Sequence, residues 1–292
     1  MNVLFSVVIA NYNYGRFLAD AIQSVLRQCG RPERGDDGVA RLPLPTGEYV
    51  ELIVCDGGSS DGSVEIIKQY ADSIAWWCSE KDGGQSAAFN KGFSRATGKY
   101  LTWLNADDIF TRNAFLNIRK VAVAHPQCRW ITGSMLYTDA CLCVVKCFCA
   151  HAFLDFRAEH GFLSAWAPSS FFTKDLLECV GGVDEQLHFL MDIDLWHRFY
   201  RKGARYKRTR ANIFALRRHE DSKMSGSGVK ATEKNLRNKE RARREEALVN
   251  ARYGISRGVA FKMAQLLNYS VVDVMTAFGR TLIWRGRNAY EL

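Results

Sequence analysis

The chain has 292 residues, of which 47% are hydrophobic and only 5 are proline, and its formal net charge is +9. This length corresponds to one large domain or two smaller ones, and the composition excludes a mini-protein, a disordered chain and a collagen-like repeat. The charge is uneven, because 19 basic and 6 acidic residues lie between Trp196 and Gly258, so that a basic segment follows a mildly acidic one.

The first 110 residues alternate between strand and helix patterns. Residues 4–10 are a short, continuous, β-branched run, which is typical of a strand buried on both faces of a parallel sheet. Apolar residues at helical spacing follow as far as Leu26, whereas the Gly-, Pro- and charge-rich residues 30–47 are predicted to be a loop with no element of its own. Further strands are predicted at 50–55, 74–78 and 100–104, and helices at 64–70 and 83–96. This alternation predicts an α/β fold with a parallel sheet.

The pattern after residue 108 is more mixed. We predict helices at 109–125, 173–180 and 191–202, strands at 129–138, 141–149 and 205–216, and two or three helices from Val229 onward. The apolar stretch from Leu266 to Trp284 contains Asp273 and Arg280. Because these charges make it a poor membrane span, we expect a packed or interfacial helix there.

Polar residues follow three of the predicted strands, at 11–13, at Asp56 and at 105–108. In open parallel sheets, ligands bind outside the carboxyl ends of the strands, so these positions are the first candidates for a site. The pair Asp107 and Asp108 can hold a hard divalent cation, which would bridge phosphates. The alternative is that the pair only caps a helix beginning near Thr111.

Five segments repeat a known order and spacing. They are residues 6–13 (SVVIANYN), 56–63 (DGGSSDGS), 81–100 (KDGGQSAAFNKGFSRATGKY), 105–108 (NADD) and 191–196 (MDIDLW). Each is a weak signal alone, but together they resemble the motifs of the family 2 inverting glycosyltransferases with the GT-A fold, over residues 4 to about 223. The resemblance implies a Rossmann-like, mostly parallel sheet flanked by helices, with a helical extension at the C-terminus.

The resemblance also implies a division of the chain. A GT-A domain would occupy residues 1–223, with a nucleotide-binding half at 1–110 and an acceptor-binding half at 111–223. A basic helical extension would occupy 224–292. Trp166 and Trp196 lie in the acceptor half and are candidates for stacking on a sugar.

The donor side of the site is implied by the first four segments. Carried over to this chain, Asp56 contacts the base of the nucleotide, and Asp108 supports the site or contacts the donor sugar. The remaining donor-side residues implied by the resemblance are Ala10, Asn11, Tyr12, Asn13 and Gln85.

A metal site is implied by the fourth segment and by a later one. Asp107 would be the carboxylate ligand of Mn²⁺ or Mg²⁺ on the diphosphate of the donor. Asn105 stands where the family has an aspartate, which removes one charge from the metal site. Residues 217–222 (RRHEDS) resemble the family's late segment that closes over the diphosphate, with His219 as the candidate ligand; the alternative is a solvated polar turn.

Asp192 is implied to be the catalytic base. Inverting transfer is a direct displacement, so a carboxylate opposite the leaving diphosphate must take the proton of the acceptor hydroxyl. Asp194 lies two residues on, and on a helix it points to a different face, so the two are not expected to act together. Met191 replaces the family's more usual glutamate. The alternative for Asp192 is a helix-start carboxylate favoured by the helix dipole.

These features predict a metal-dependent inverting glycosyltransferase. It would transfer a hexose or N-acetylhexosamine from a nucleotide-diphosphate sugar, UDP being the most expected nucleotide, to a hydroxyl of a glycan or lipid-linked glycan in cell-surface polysaccharide synthesis. One rival is a nucleotidyltransferase acting on sugar phosphates, but the Gly-rich basic signature for gripping a triphosphate is missing. The other is a nucleic-acid-binding protein, but the basic segment lacks interleaved aromatic residues, so we expect no nucleic-acid partner.

The basic segment and the apolar stretch after it suggest a location. Together they are typical of a segment that lies on an anionic membrane surface. The nine cysteines and the lack of a signal-peptide pattern favour the cytoplasm, so the expected location is cytoplasmic or peripheral at the cytoplasmic face of a membrane. The alternative for the tail is a helix pair that packs on the catalytic domain or forms a homodimer.

Overall fold

The computed structural model describes residues 1–163, 165–222, 233–256, 258–259, 261–263 and 271–292. Its strands are β1 (Val3–Asn11), β2 (Glu33–Arg34), β3 (Ala40–Pro43), β4 (Tyr49–Asp56), β5 (Trp76–Ser79), β6 (Tyr100–Asn105), β7 (Ile109–Phe110), β8 (Trp130–Thr138), β9 (Val144–Phe148), β10 (Phe171–Thr173) and β11 (Lys207–Arg217). Its α-helices are α1 (Gly15–Leu26), α2 (Ser63–Gln69), α3 (Gln85–Arg95), α4 (Ala114–Ala124), α5 (Asp155–Glu159), α6 (Lys174–Cys179), α7 (Met191–Arg201), α8 (Glu233–Tyr253) and α9 (Val271–Trp284).

Four strands in the amino-terminal half of the sheet are parallel, and their order along the sheet differs from their order in the chain. β4 and β6 flank β1, and β5 lies outside β4, so that the order is β5-β4-β1-β6. The chain therefore adds β4 and β5 on one side of β1, and then places β6 on the other side. Such a switch point leaves a crevice at the carboxyl ends of the two strands that flank it. Here those ends belong to β1 and β6.

The other half of the sheet contains both parallel and antiparallel pairs and continues beyond β6. β10 pairs antiparallel with both β6 and β8, β11 runs parallel to β8, and β7 pairs antiparallel with β11. The two predicted halves, residues 1–110 and 111–223, therefore share one sheet. This continuity brings the end of β11 to the same region as the end of β6.

Side chains of β1 alternate between two hydrophobic layers. Val7 and Ile9 face the layer formed with α1 and α4, whereas Val8 faces the layer formed with α3 and α7. Strand residues point alternately to opposite faces, so a strand covered on both sides must be apolar at every position. This is why the run at 4–10 is continuous rather than alternating.

Two of the predicted elements were wrong. Residues 30–47 are not a plain loop, because β2 and β3 form a hairpin there and β3 pairs antiparallel with the beginning of β4. The helix predicted over 109–125 begins only at Ala114, after Asn113 in the left-handed region (φ 60°), because Ile109 and Phe110 instead pair with β11. Asp107 and Asp108 consequently do not cap this helix.

Trp196 was predicted to stack on a sugar, and the structure places it in the core. It is fully buried, and its ring centroid lies 5.7 Å from that of Trp103 and 5.1 Å from that of Trp130. The apolar side of α7 therefore packs against the sheet. In its first turn, Asp192 is only half-buried.

The helices of the tail pack on the rest of the chain. Val249 of α8 is buried in the layer of α3 and α7, and Tyr253 stacks on His197 with ring centroids 4.6 Å apart. α9 lies on β9, where Thr281 Oγ1 accepts a hydrogen bond from the Cys147 N–H (2.9 Å). Residues 223, 229–232 and 264–270, which belong to the predicted domain boundary, tail helix and apolar stretch, lie outside the described residues. In the part of the chain that the structure describes, no helix is long and apolar enough to cross a membrane.

Candidate active site

Asp56, at the end of β4, is surrounded by hydrogen-bond donors of the protein. Its carboxylate accepts bonds from Asn11 Nδ2 (2.6 Å), Ser59 Oγ (2.5 Å) and N (2.9 Å), and Ser79 Oγ (2.6 Å), and only 1% of the residue is exposed. Burial favours the neutral form, but the hydrogen bonds from Ser59 and Ser79 outweigh it and hold the pKa of Asp56 below its usual range. A nucleotide base that binds Asp56 must therefore replace one of these donors, and the serine hydroxyls are the groups that rotate.

The loop after β1 forms the rim above Asp56. Asn13 is in the left-handed region (φ 55°), and its backbone N–H and side-chain oxygen bond to Ser59 Oγ (2.8 Å) and Ser60 N (3.0 Å). Tyr12 is 62% exposed, beside Gly57 at the end of β4. Ala10 lies lower, paired with β4 on one side and β6 on the other. The exposed ring of Tyr12 is thus the aromatic surface that this rim offers to a base.

Asn105, Gln85 and Asp108 form a chain of hydrogen bonds at the end of β6. Gln85 Nε2 donates to Asn105 Oδ1 (2.6 Å), and Asn105 Nδ2 donates to Asp108 Oδ2 (2.8 Å). An aspartate at position 105 has no N–H and would face Asp108 with a second carboxylate. The asparagine suits this position because its side-chain amide accepts from Gln85 and donates to Asp108 at the same time.

Asp108 itself is buried. It is 2% exposed, and its other oxygen accepts the backbone N–H of Arg217 (3.0 Å) from the end of β11. Burial, together with the charge of Asp107, raises the pKa of Asp108 well above its ordinary value. Of the two predicted roles, this position favours support of the site over contact with the donor sugar.

Asp107 and His219 lie together, although 112 residues separate them. Asp107 Oδ2 and His219 Nε2 are 3.0 Å apart. The contact forms because β11 ends beside the end of β6, and residues 218–222, which include His219, follow it directly. The structure therefore brings the two predicted metal ligands to one place.

Residues near the start of α1 hold the segment with His219, and the sequence did not point to them. Arg16 lies 2.6 Å from Asp221 Oδ2 and 3.3 Å from His219 Nδ1, and Tyr14 OH donates to the Asp221 carbonyl (3.1 Å). Burial, with the charges of Asp107 and Asp221, raises the pKa of Tyr14, so its hydroxyl stays protonated. The only sequence signal near them is the polar run at residues 11–16 (NYNYGR), at the end of the first motif. The contacts themselves span more than 200 residues of sequence.

The pair formed by Asp107 and His219 fits a divalent cation. Neighbouring ligands of an octahedral ion with bonds of about 2.1 Å are themselves about 3 Å apart, which is the separation observed here. Within the described residues, no group of three or more His, Cys, Asp and Glu side chains is arranged to hold a metal ion. An ion at this pair would therefore take its other ligands from a diphosphate and water, which is the usual manner of Mg²⁺ in phosphate-transfer sites.

Asp192 lies in the first turn of α7. It is half-buried, and its Oδ1 accepts the backbone N–H of Ile193 (2.8 Å). Burial of the carboxyl raises its pKa to about 6. A carboxylate with this pKa is ionised at neutral pH and is a stronger base than an ordinary aspartate.

The start of α7 is tied to the donor side through α3. Ser86 Oγ lies 2.8 Å from the Leu187 carbonyl and 2.9 Å from Met191 Sδ. Ser86 follows Gln85, which bonds to the chain of Asn105 and Asp108. Met191, which replaces the family's glutamate, thus has a packing role at this junction.

Asp194 is unsuited to act as a base. It is fully buried, and it accepts bonds from Arg198 Nε (2.7 Å), Arg252 (2.6 Å) and Tyr253 OH (2.7 Å). Asp192 and Asp194 therefore occupy different environments, as their spacing on the helix predicts.

Part of the chain matches a known family model. Residues 6–127 match the family model described as Glycosyl transferase family 2. The chain is 26% identical over 223 residues to an uncharacterized glycosyltransferase of Rickettsia prowazekii, which covers 70% of this chain and 60% of that protein. A shorter match, 29% identical over 120 residues, is to the minor teichoic acid biosynthesis protein GgaB of Bacillus subtilis and covers 40% of this chain and 12% of that protein. The matches cover only 32% to 60% of the length of the first curated relatives.

Two solved structures resemble the chain in fold. One is TarS residues 1–349 of S. aureus in complex with UDP-GlcNAc (TM-score 0.54, 15% identity, 81% of this chain and 64% of that chain). The other is the mannosyltransferase PcManGT of Pyrobaculum calidifontis in complex with GDP-Man and Mn²⁺ (TM-score 0.54, 15% identity, 97% and 88%). Identities this low carry the fold alone, which is GT-A.

Proposed function

We propose that this chain, which carries a Glycosyl transferase family 2 domain, transfers a sugar from a nucleotide-diphosphate sugar to an acceptor hydroxyl with inversion at the anomeric carbon. The observation that supports this most is the convergence of Asp107 and His219 at the switch point of the sheet. Asp192 lies on a helix that is tied to the donor side of that site. The proposed donor is a sugar of the hexose or N-acetylhexosamine type, and UDP-GlcNAc and GDP-Man, with which two proteins of similar fold were solved, are examples of this class.

The residues divide the work of an inverting displacement. Asp56 and Tyr12 hold the nucleoside, and Asp107 and His219 would hold a divalent cation. When bound, such a cation neutralises the charge that develops on the leaving diphosphate. Asp192 takes the proton from the acceptor hydroxyl as this oxygen attacks.

The acceptor belongs to a polysaccharide or to its lipid-linked precursor. One relative is named for teichoic acid biosynthesis, and this supports a role in making a cell-surface polymer.

The basic segment gives little support to the rival function, a nucleic-acid-binding protein. Arginines of α8 pair with glutamates one turn away on the same helix, and Arg252 pairs with Asp184 and Asp194.

The proposal predicts that a nucleotide sugar binds in a Mn²⁺-dependent way. Isothermal titration of UDP-GlcNAc, UDP-glucose and GDP-mannose, each with MnCl₂ and with chelator, measures this directly. We expect at least one of the donors to bind at least about tenfold more tightly with Mn²⁺, a difference of about 1.4 kcal/mol. Binding of a nucleoside triphosphate together with a sugar phosphate, and of none of these sugars, would favour the nucleotidyltransferase instead.

An exposed apolar face on α9 supports contact with a membrane surface. Five large residues of this helix are 43% to 68% exposed: Val274, Met275, Phe278, Leu282 and Ile283. The opposite face packs on β9, and Arg285 and Arg287 are exposed just after the helix. The apolar surface and the arginines are thus the parts of the tail suited to an anionic bilayer. Four arginines of α8 already pair with carboxylates of the protein: Arg237, Arg241, Arg244 and Arg252.

Co-sedimentation with vesicles tests this location. Each basic residue near an anionic surface adds about 1 kcal/mol, so we expect binding to phosphatidylserine-containing vesicles that weakens as salt increases. Phe278→Glu together with Leu282→Glu should abolish the binding, whereas Lys68→Glu on α2 should leave it intact. If the parent protein does not bind anionic vesicles at low salt, the membrane location is refuted. If it instead sediments as a dimer that Phe278→Glu with Leu282→Glu dissociates, the exposed residues form a homodimer interface.

A further inference from the structure

Glu245 of α8 holds the segment that leads into the candidate base. It is a carboxylate of which only 6% of the residue is exposed, and it accepts the backbone N–H groups of His188 (3.0 Å), Phe189 (2.7 Å) and Leu190 (3.1 Å). The N-cap of α7, Leu190, has no side chain that can cap the helix. A carboxylate at a helix N-terminus satisfies otherwise unpaired donors and is favoured by the helix dipole. Here a helix from the far end of the chain supplies it.

The end of α8 holds the other side of the same turn. Arg252 and Tyr253 bond to the carboxylate of the fully buried Asp194 at 2.6 Å and 2.7 Å. Arg252 also reaches Asp184, at 2.8 Å. A buried carboxylate that loses its partners is strongly destabilising, so these contacts fix the position of the first turn of α7.

Asp192 lies between the two points of attachment. Glu245 fixes residues 188–190 before it, and Arg252 with Tyr253 fixes Asp194 after it. We propose that these three residues of α8, the α8 clamp, position Asp192 for proton transfer. They are positioning residues and do not touch the reacting atoms. The inference rests on the proposed function, because it presumes that Asp192 is the base.

The clamp assigns α8 a role in catalysis, which is to position the base. The family match ends at residue 127, well before α8, so the family model itself does not include these contacts. A shift of about 1 Å in a catalytic group can reduce a rate by about 100-fold. A base that is aligned by a separate helix is therefore sensitive to substitutions far from the substrate.

Glu245→Gln tests the clamp, with Glu240→Gln as the matched control. Glu240 lies on the same helix and makes only an exposed ion pair with Arg244. For Glu245→Gln we expect donor turnover to fall about 10- to 100-fold, while the affinity for UDP with Mn²⁺ stays within twofold of the parent. We also expect faster hydrogen exchange of the backbone N–H groups of residues 188–190. Turnover is measured as UDP release from UDP-GlcNAc, or GDP release from GDP-mannose, whichever the parent consumes.

Tyr253→Phe is the second variant, because it removes only a hydroxyl and keeps the ring that stacks on His197. It should lower turnover several-fold with unchanged affinity for UDP and only a small decrease in melting temperature, because Asp194 keeps its bonds from Arg198 and Arg252. The clamp is refuted if Glu245→Gln exchanges as the parent does, or if both variants turn over donor at the parent's rate. Failure of the proposed function is distinguishable, since the parent itself would then consume none of the nucleotide sugars. Failure of the base assignment alone would appear as full activity in Asp192→Asn, whatever the clamp variants do.

Discussion

Replacing Asp192 by asparagine is expected to reduce sugar transfer by about 100- to 10,000-fold, the range that a general base usually contributes. The amide has nearly the shape of the carboxylate and can still accept the Ile193 N–H, but it cannot take a proton from the acceptor. Binding of the nucleotide diphosphate should remain within twofold, since Asp56, Asp107 and His219 are untouched. The measurements are nucleotide release for turnover and titration of UDP or GDP for affinity.

Asp175 provides the matched control for this substitution. It too lies in the first turn of a helix, α6, and it is largely exposed opposite Arg129. If Asp192 serves only the helix dipole, then Asp192→Asn and Asp175→Asn should have similar, small effects on stability and none on turnover. Activity of Asp192→Asn near that of the parent would overturn its assignment as the base. Asp194 would not replace it as a candidate, because its carboxylate is fully buried and bonded.

The same residue predicts the acid side of the pH profile. Because burial raises the pKa of Asp192 to about 6, the active, deprotonated form predominates above pH 6 and is lost below it. We expect kcat/KM to be level near pH 7.5 and to fall about tenfold per pH unit well below pH 6. An ordinary aspartate would keep its activity down to about pH 4. A profile level to pH 4.5 would contradict this pKa for the base.

The sequence predicted the parallel half of the fold well, for a physical reason. A strand covered on both faces must be apolar throughout, and β1 and β4 match the predicted runs at 4–10 and 50–55 to within two residues. Helices between such strands show a one-sided apolar stripe, as α1 does. Local patterns thus reflect burial directly in this half.

Elements whose pairing depends on distant strands were predicted less well. β3 is only four residues long (Ala40–Pro43) and lies in a Gly-, Pro- and charge-rich stretch, and it is a strand because it pairs with the start of β4. Ile109 and Phe110 carry a helical pattern but pair with β11, more than 100 residues later. In both cases a tertiary contact overrides the local preference.

The residues of the candidate site were likewise predictable from the sequence only in part. Asp56, Asp107, His219 and Asp192 were identified from their motifs, and the structure brings Asp107 and His219 into contact. The role of Glu245 could not be predicted from the sequence, because it lies in a run of mixed charges that resembles any solvated helix. Only its burial against three backbone N–H groups distinguishes it from its neighbours.

Asp107→Ala is expected to remove the metal-dependent part of donor binding. The parent should bind UDP or GDP more tightly with Mn²⁺ than with chelator, and the variant should bind equally weakly in both. The loss should be at least the roughly 10- to 100-fold in metal affinity that follows removal of a group supporting a metal ligand, because Asp107 is proposed to be a ligand itself. His219 alone is a poor site for Mn²⁺ or Mg²⁺, since these ions prefer oxygen ligands.

The control for this prediction is Asp72→Ala. Asp72 is an exposed aspartate paired with Arg34, far from the carboxyl ends of β1 and β6, so its loss should leave the gain from Mn²⁺ unchanged. His219→Ala should reduce the gain less than Asp107→Ala, because the carboxylate carries the charge that attracts the ion. A variant Asp107→Ala that keeps the parent's full Mn²⁺-dependent gain would show that the cation is held elsewhere. Asn105 would not be the replacement, because both ends of its amide already bond to Gln85 and Asp108.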